Sequence, residues 1–375
     1  MQIAFVNYNE NRGNNVLFGY SIAATSENWL HESMIAAVEK IHSLVDEGKR
    51  MPKWPNIFPD AYRERLSSRK GLAKRLAAYT KAIKSLSIAE RESVLQALSS
   101  QNSISELLSR QCDCMDLEEL PVASREPIKK LFTFAFGLLT DYGIRQRQYK
   151  ALCETIPARI CPFCGCEGLD APGAPQEDLD HYIPRSKYPF AAANLRNLAP
   201  MGGRCNASYK HMQDPLRDNA GRRRIACDPY LTDGVSISLN NSIVDDVAAD
   251  RIITEWVIDF QPTNEAIESW EEIFHIRERW KRDILDEPTF NQWLGDFRNY
   301  CRSATFRFTA DNDVTDAIDR YEQYLSGCGF RDRSFLKAAV FRFMSVRCAQ
   351  GCQRLWPLLR DLTGAPQPQN APMPI

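Results

Sequence analysis

Between residues 28 and 48 the apolar positions Leu30, Met34, Ile35, Val38, Ile41, Leu44 and Val45 recur at three- and four-residue spacing and stop at Gly48. That is the signature of an amphipathic helix closed by a glycine. Similar spacing predicts helix over 60–86 and 87–98. Ser124 and Pro127 open a further helix, in which Ile128, Leu131, Phe132, Ala135, Leu138 and Leu139 form one broad apolar face. A basic helix follows over 142–154 (YGIRQRQYKALCE). From 159 to 230 helical periodicity stops and Pro, Gly, Asn and Cys become dense, which predicts a small irregular module. Beyond it, 235–239 alternates as VSISL and 252–260 (IITEWVIDF) is rich in β-branched and aromatic residues, so two strands are expected. Helical spacing resumes to Leu362, and 364–375, with four prolines and almost no core-forming side chains, reads as a disordered tail. No internal repeat is visible. The expected chain is mainly α and α+β overall. It comprises a helical domain over 1–150, the irregular module over 151–231, an α-rich domain with a short β segment over 232–362, and a tail over 363–375.

The 375 residues are 44% hydrophobic and 25% charged, enough for two or three domains, which excludes a globally disordered, collagen-like or low-complexity chain. No apolar run nears the roughly 18 residues that span a bilayer. The opening MQIAFVNYNENRGN lacks the blocks of a secretory leader, so a reducing cytoplasm is the expected location. Twelve cysteines there are core thiols or metal ligands rather than a disulfide framework. Cys301, Cys328, Cys348 and Cys352 lie in helical pattern and read as buried small hydrophobes; His31, His42 and His275 read as structural. Lys and Arg number 47 against 48 Asp and Glu, which excludes a globally basic nucleic-acid binder and leaves local asymmetry as the signal.

The module opens with Cys161, Cys164 and Cys166 in the run CPFCGC. Two thiolates three residues apart on a tight turn can aim at one zinc ion, about 2.3 Å from each sulfur. Asp180 and His181 follow in DHYIPRSKYP, then Asn197, Gly202, and Cys205 with Asn206 in CNASYK. Cys205 falls eight residues after Asn197 and Asn206 nine.

Over these roughly 70 residues the chain resembles the HNH endonuclease superfamily. The resemblance implies a small central ββα-metal module with a zinc knuckle, an Asp-His dipeptide on its first strand and a Cys-Asn opening its helix. It implies hydrolysis of phosphodiester bonds, DNA favoured, with Mg²⁺ or Mn²⁺. Hard cations take oxygen ligands, so Asp180 and Asn206 would hold the catalytic ion while His181 accepts a proton from water. Asn197 would position the base. Cys161, Cys164 and Cys205 would hold structural zinc. Gly202 stands where the family has another cysteine, leaving Cys166 or Cys227 as the fourth ligand, or a knuckle held by packing alone. So small and Gly/Pro-rich a module is expected to bury little apolar area and to need a metal cross-link.

From His181 to Cys227 nine basic residues face two acidic ones. Arg185, Lys187, Arg204, Lys210, Arg222, Arg223 and Arg224 form the expected phosphate-facing surface. His211, one residue past Lys210, is assigned no role. The flanking helices resemble those of accessory nucleases in prokaryotic antiviral systems, and no GxxxxGK[ST] run occurs, so an ATPase partner would be another chain. The alternatives are a zinc-stabilised nucleic-acid-binding or scaffold element without catalysis, and an RNA (tRNA) nuclease.

Overall fold

The computed structural model describes residues 16–174, 179–211, 213–244, 251–303 and 306–366, and these are mainly helical. The first half holds α1 (Trp29–Asp46), α2 (Asp60–Ser67), α3 (Lys70–Lys84), α4 (Ile88–Asn102), α5 (Ile104–Leu108), α6 (Val122–Asp141) and α7 (Ile144–Thr155). Helix α1 buries Leu30, Met34, Val38 and Ile41, the stripe its spacing predicts. Ser87 and Glu90 close a reciprocal capping box at the start of α4. The single helix expected over 60–86 is two. Leu72, Leu76, Tyr79 and Ile83 share one stripe of α3, but Leu66 lies six residues before Leu72, out of phase with it. The chain therefore breaks at Arg69 (φ −83°, ψ 66°) to bury both leucines in one core.

His31 and His42 are buried within this helical half, and burial pushes each imidazole down to about 4. A histidine held below its unfolded pKa favours folding fully above about pH 6.5, and that contribution fades as pH falls toward the folded value. Each such group contributes a slope of about 1.4 kcal/mol per pH unit within that window. Urea unfolding at pH 7, 6 and 5 should therefore show falling stability, and His31→Leu should show a shallower pH slope whatever its absolute stability.

The strands are short. β1 (Val16–Phe18), β4 (Asp233–Ser238) and β7 (Asp259–Gln261) form an antiparallel sheet in the order β1-β4-β7, so the beginning of the described chain pairs with its C-terminal half. β5 (Ile243–Val244) pairs with β6 (Ile253–Glu255). The run 252–260 thus divides between two sheets, and at the break the Ser242 hydroxyl accepts from the Val257 amide (3.0 Å). Helices α8 (Glu265–Phe274), α9 (Ile276–Asp283), α10 (Glu287–Ser303), α11 (Asp311–Cys328), α12 (Ser334–Ala349) and α13 (Leu355–Thr363) complete the fold. Of the expected tail, 367–375 lies outside the described residues, as do 1–15. Among the described residues no helix is long and apolar enough to cross a membrane.

Between these helical halves lie β2 (Leu179–His181) and β3 (Leu198–Pro200), paired antiparallel, followed by a six-residue π-helical turn, Cys205–Lys210. Within that turn the His211 amide donates to the Asn206 carbonyl five residues back (2.7 Å). The expectation that this segment buries little apolar surface is wrong. Phe163, Tyr182, Ile183, Tyr188 and Phe190 are essentially inaccessible because helices cover them from both sides. The Trp270 indole donates to the Phe163 carbonyl (2.9 Å) and the Trp280 indole to that of Cys164 (3.0 Å). From the other half, the Gln148 amide donates to the Leu195 carbonyl (2.8 Å) and the Gln101 side chain accepts from the Phe190 amide (3.0 Å).

Candidate functional site

His181 ends β2, facing Leu198 across the strand pair. Its Nε2 lies 2.8 Å from the Ala192 carbonyl oxygen. A carbonyl only accepts, so Nε2 carries the proton and Nδ1 is left as the basic nitrogen. That Nδ1 is 3.9 Å from Asp180 Oδ1. Adjacent strand residues ordinarily diverge. Here the strand ends at His181 and the two groups meet at one edge. The Phe136 ring of α6 packs against the imidazole with centroids 4.4 Å apart, and the Arg145 and Arg185 guanidinium groups lie 4.9 and 5.0 Å from the Phe136 centroid. Arg145 also donates to the Leu179 carbonyl (3.1 Å), tying α7 to β2. Burial drives the His181 imidazole down to about 4, against the opposing effects of the Ala192 hydrogen bond and the Asp180 charge, so it is neutral at neutral pH.

Asn197 is fully buried and holds the loop between the two strands. Its Oδ1 accepts from the Ile183 amide (2.7 Å), while its Nδ2 donates to the carbonyls of Ile183 (3.0 Å) and Ala191 (3.3 Å). Ala191 precedes the residue whose carbonyl fixes His181. Asn197 therefore reaches the base through the backbone, with its whole amide spent on the loop. Asn206 is half-buried near the start of the π-helical turn. Lys210, at the end of that turn, extends a buried ammonium to within 3.7 Å of Asp180 Oδ2, which sets the end of the turn beside the carboxylate. Desolvation lowers the Lys210 pKa and Asp180 counteracts it. His211, at φ 36°, is exposed.

Cys161, Cys164 and Cys205 converge, all buried, with their sulfur atoms within 4.8 Å of one another. The tight turn between the first two is closed by the Gly165 amide donating to the Cys161 carbonyl (2.8 Å), with Gly165 at φ 67° and a side chain there barred by Val16 and Phe335. Hydrogen bonds from Cys161 and then Cys205 hold the Cys164 thiol well below its ordinary pKa, and the Glu167 amide adds to them (3.4 Å). Neither expected fourth ligand joins the group. Cys227 points to the Ala266 carbonyl (3.4 Å), and Cys166 is absent from the convergent set. The space above Gly202 is filled instead by Glu167, whose Oε2 occupies the room a Cβ would need and accepts from the Arg204 amide (2.9 Å).

The basic cluster divides. Arg185, Arg204 and Arg222 are exposed, the last paired with Asp218 (2.7 Å). Lys187 is half-buried against buried Asp214 (3.1 Å). Lys210 is buried, as described. Arg223 donates to the carbonyls of Leu107 (2.8 Å), Cys112 (3.0 Å) and Leu216 (3.0 Å), while Arg224 is buried beside Glu272 (3.2 Å). Lys210, Arg223 and Arg224 are therefore not on the outer surface expected of them, because each is turned inward to neutralise a carboxylate or satisfy backbone oxygens. Phe136, Arg145, Glu167 and Arg279, whose guanidinium lies 2.7 Å from Glu167 Oε1, were not anticipated. Only Glu167, one residue past CPFCGC, carries a local signal.

No family model matches the chain, and no curated protein or solved structure matches it.

Proposed function

We propose that the chain is a metal-dependent endonuclease of the HNH type that hydrolyses nucleic-acid phosphodiester bonds, duplex DNA being favoured. The observation that carries this reading is His181. Its Nε2 proton is committed to the Ala192 carbonyl, leaving a neutral Nδ1 acceptor beside the partly exposed Asp180 carboxylate. That is the arrangement a general base needs if it is to take a proton from water next to a cation-bound phosphate. Asp180 and Asn206 are the oxygen donors that would hold Mg²⁺ or Mn²⁺, which when bound stabilises charge on the phosphorane and on the leaving 3′ oxygen. Asn197 positions the base by fixing the loop that carries Ala192, and Arg185, which packs over the same Phe136 ring as His181, is an exposed cation for phosphate. We place the enzyme in the cytoplasm, in prokaryotic antiviral defence, beside an ATPase on a separate chain. Support for that setting is the module's position between two helical arms and the wording of the DHYIPRSKYP run.

Titration of Mn²⁺ tests the division of labour. Asp180→Ala and Asn206→Ala should weaken binding, whereas His181→Ala should leave affinity nearly unchanged; unaltered affinity in both ligand variants would contradict the assignment. The exposed arginines make a second expectation. Arg185→Glu and Arg204→Glu should each flatten the dependence of log K on log salt by roughly 0.9. Arg224→Glu should instead lower stability, because it puts a carboxylate in the buried place of Arg224, facing the like charge of Glu272.

One feature favours the reading without catalysis: Lys210 already neutralises the carboxylate a cation would use. In that case Lys210→Met would leave nucleic-acid binding intact and no divalent ion would support cleavage.

A further inference from the structure

We infer that Glu167 is the fourth ligand of a structural zinc site with Cys161, Cys164 and Cys205, and that Arg279 of α9 braces it from outside. The inference rests on the reading that these cysteines hold zinc, and it names the residues that complete the site. Three sulfurs mutually within 4.8 Å fit three corners of a tetrahedron, whose edges run to about 3.5–3.8 Å for zinc bonds of 2.0–2.3 Å. Glu167 Oε1 is 3.8 Å from Cys205 Sγ, close to such an edge, and since the carboxylate stands outside the set of three sulfurs mutually within 4.8 Å it turns toward Cys161 and Cys164 to close the tetrahedron when the ion binds. Its other oxygen fills the volume that a side chain at position 202 would need. Gly202 and Glu167 therefore exclude one another: a cysteine at 202 requires the glutamate to leave, and the glycine admits it. Carboxylate oxygen is an ordinary zinc donor.

Arg279 supplies the outer support. Its side chain is buried, with one guanidinium nitrogen 2.7 Å from Glu167 Oε1 and the other 3.2 Å from Cys205 Sγ. Zn²⁺ with three thiolates and one carboxylate carries two net negative charges, and a buried cation touching two of the ligands offsets one of them. The same guanidinium packs over the Tyr209 ring at 4.0 Å, within the π-helical turn that carries Asn206. The zinc site would thereby lock α9 to the loop 161–167 and the turn.

The test uses the full chain. Zinc uptake measured against a chromophoric chelator should give one ion per chain, and Co²⁺ substitution should give the absorption of tetrahedral cobalt bound by three thiolates and an oxygen. Glu167→Gln should weaken zinc binding at least about tenfold. Glu167→Gly/Gly202→Cys should restore affinity and move the cobalt bands to those of four thiolates; if Glu167→Gln does not fold, this paired variant decides. Wild-type affinity and spectrum in Glu167→Gln, or no restoration in the paired variant, would overturn the assignment. So would a wild-type chain that takes up no zinc, since the Arg279–Glu167 ion pair would then close the cluster by itself. These readouts are independent of cleavage. A chain that binds zinc as described but cuts nothing fails the nuclease reading alone, and a cutting chain with wild-type zinc affinity in Glu167→Gln fails this inference alone.

Discussion

His181→Ala is expected to lower phosphodiester cleavage by about 10²–10⁴-fold, the usual consequence of losing a general base. The substitution also leaves the Ala192 carbonyl without its donor, costing about 1–3 kcal/mol of stability. His181→Gln separates the two effects. Its amide can donate to Ala192 and so preserve the fold, yet it has no basic nitrogen; a rate as low as that of His181→Ala at near-native stability would assign the loss to proton transfer. Wild-type cleavage by either folded variant would remove His181 from the mechanism.

Asn197→Ala should be the most destabilising single change in the site. One side chain satisfies the Ile183 amide and the carbonyls of Ile183 and Ala191 in a fully buried place, and an unpaired buried backbone group costs about 1–3 kcal/mol. Thermal unfolding should show a loss of several kcal/mol, and the Ala192 carbonyl should shift with its loop. Asn197→Asp is informative because it keeps the acceptor for the Ile183 amide while setting an oxygen against two carbonyls. It too should destabilise. If Asn197 instead touched phosphate, Asn197→Ala would raise KM at unchanged stability.

Periodicity made α1 and the buried face of α6 legible, because a buried stripe leaves its spacing in the sequence. The break between α2 and α3 was hidden for the converse reason. Both sides are helical, and only the competition of Leu66 and Leu72 for one core separates them. In the site, the order of Asp180, His181, Asn197, Cys205 and Asn206 could be read directly, and the three cysteines do converge. Charge counting was less reliable. Arg223 and Arg224 sit in a basic run, yet satisfy backbone oxygens and Glu272 that no local pattern announces. Arg279 lies 112 residues from its partner Glu167, beyond any local spacing rule. The same long-range packing explains why the module is not the thinly buried segment its Gly and Pro content suggests: Trp270 and Trp280 cover the knuckle from the C-terminal helices.

Removal of the proposed zinc ion is expected to act locally. Because helices cover the module from both sides, chelation should loosen the Cys161–Cys164 turn and α9 without unfolding the chain. A module that depended on metal alone would instead unfold on chelation.

The most direct test of the nuclease reading is cleavage itself. The purified 375-residue chain, incubated with duplex DNA, single-stranded DNA and transfer RNA in Mg²⁺ or Mn²⁺, should cut with duplex DNA favoured, stop on chelation of the divalent ion, and leave 5′-phosphate and 3′-hydroxyl ends, as departure of the 3′ oxygen requires. No cleavage of any of the three by a folded, zinc-loaded chain in either ion would contradict the account.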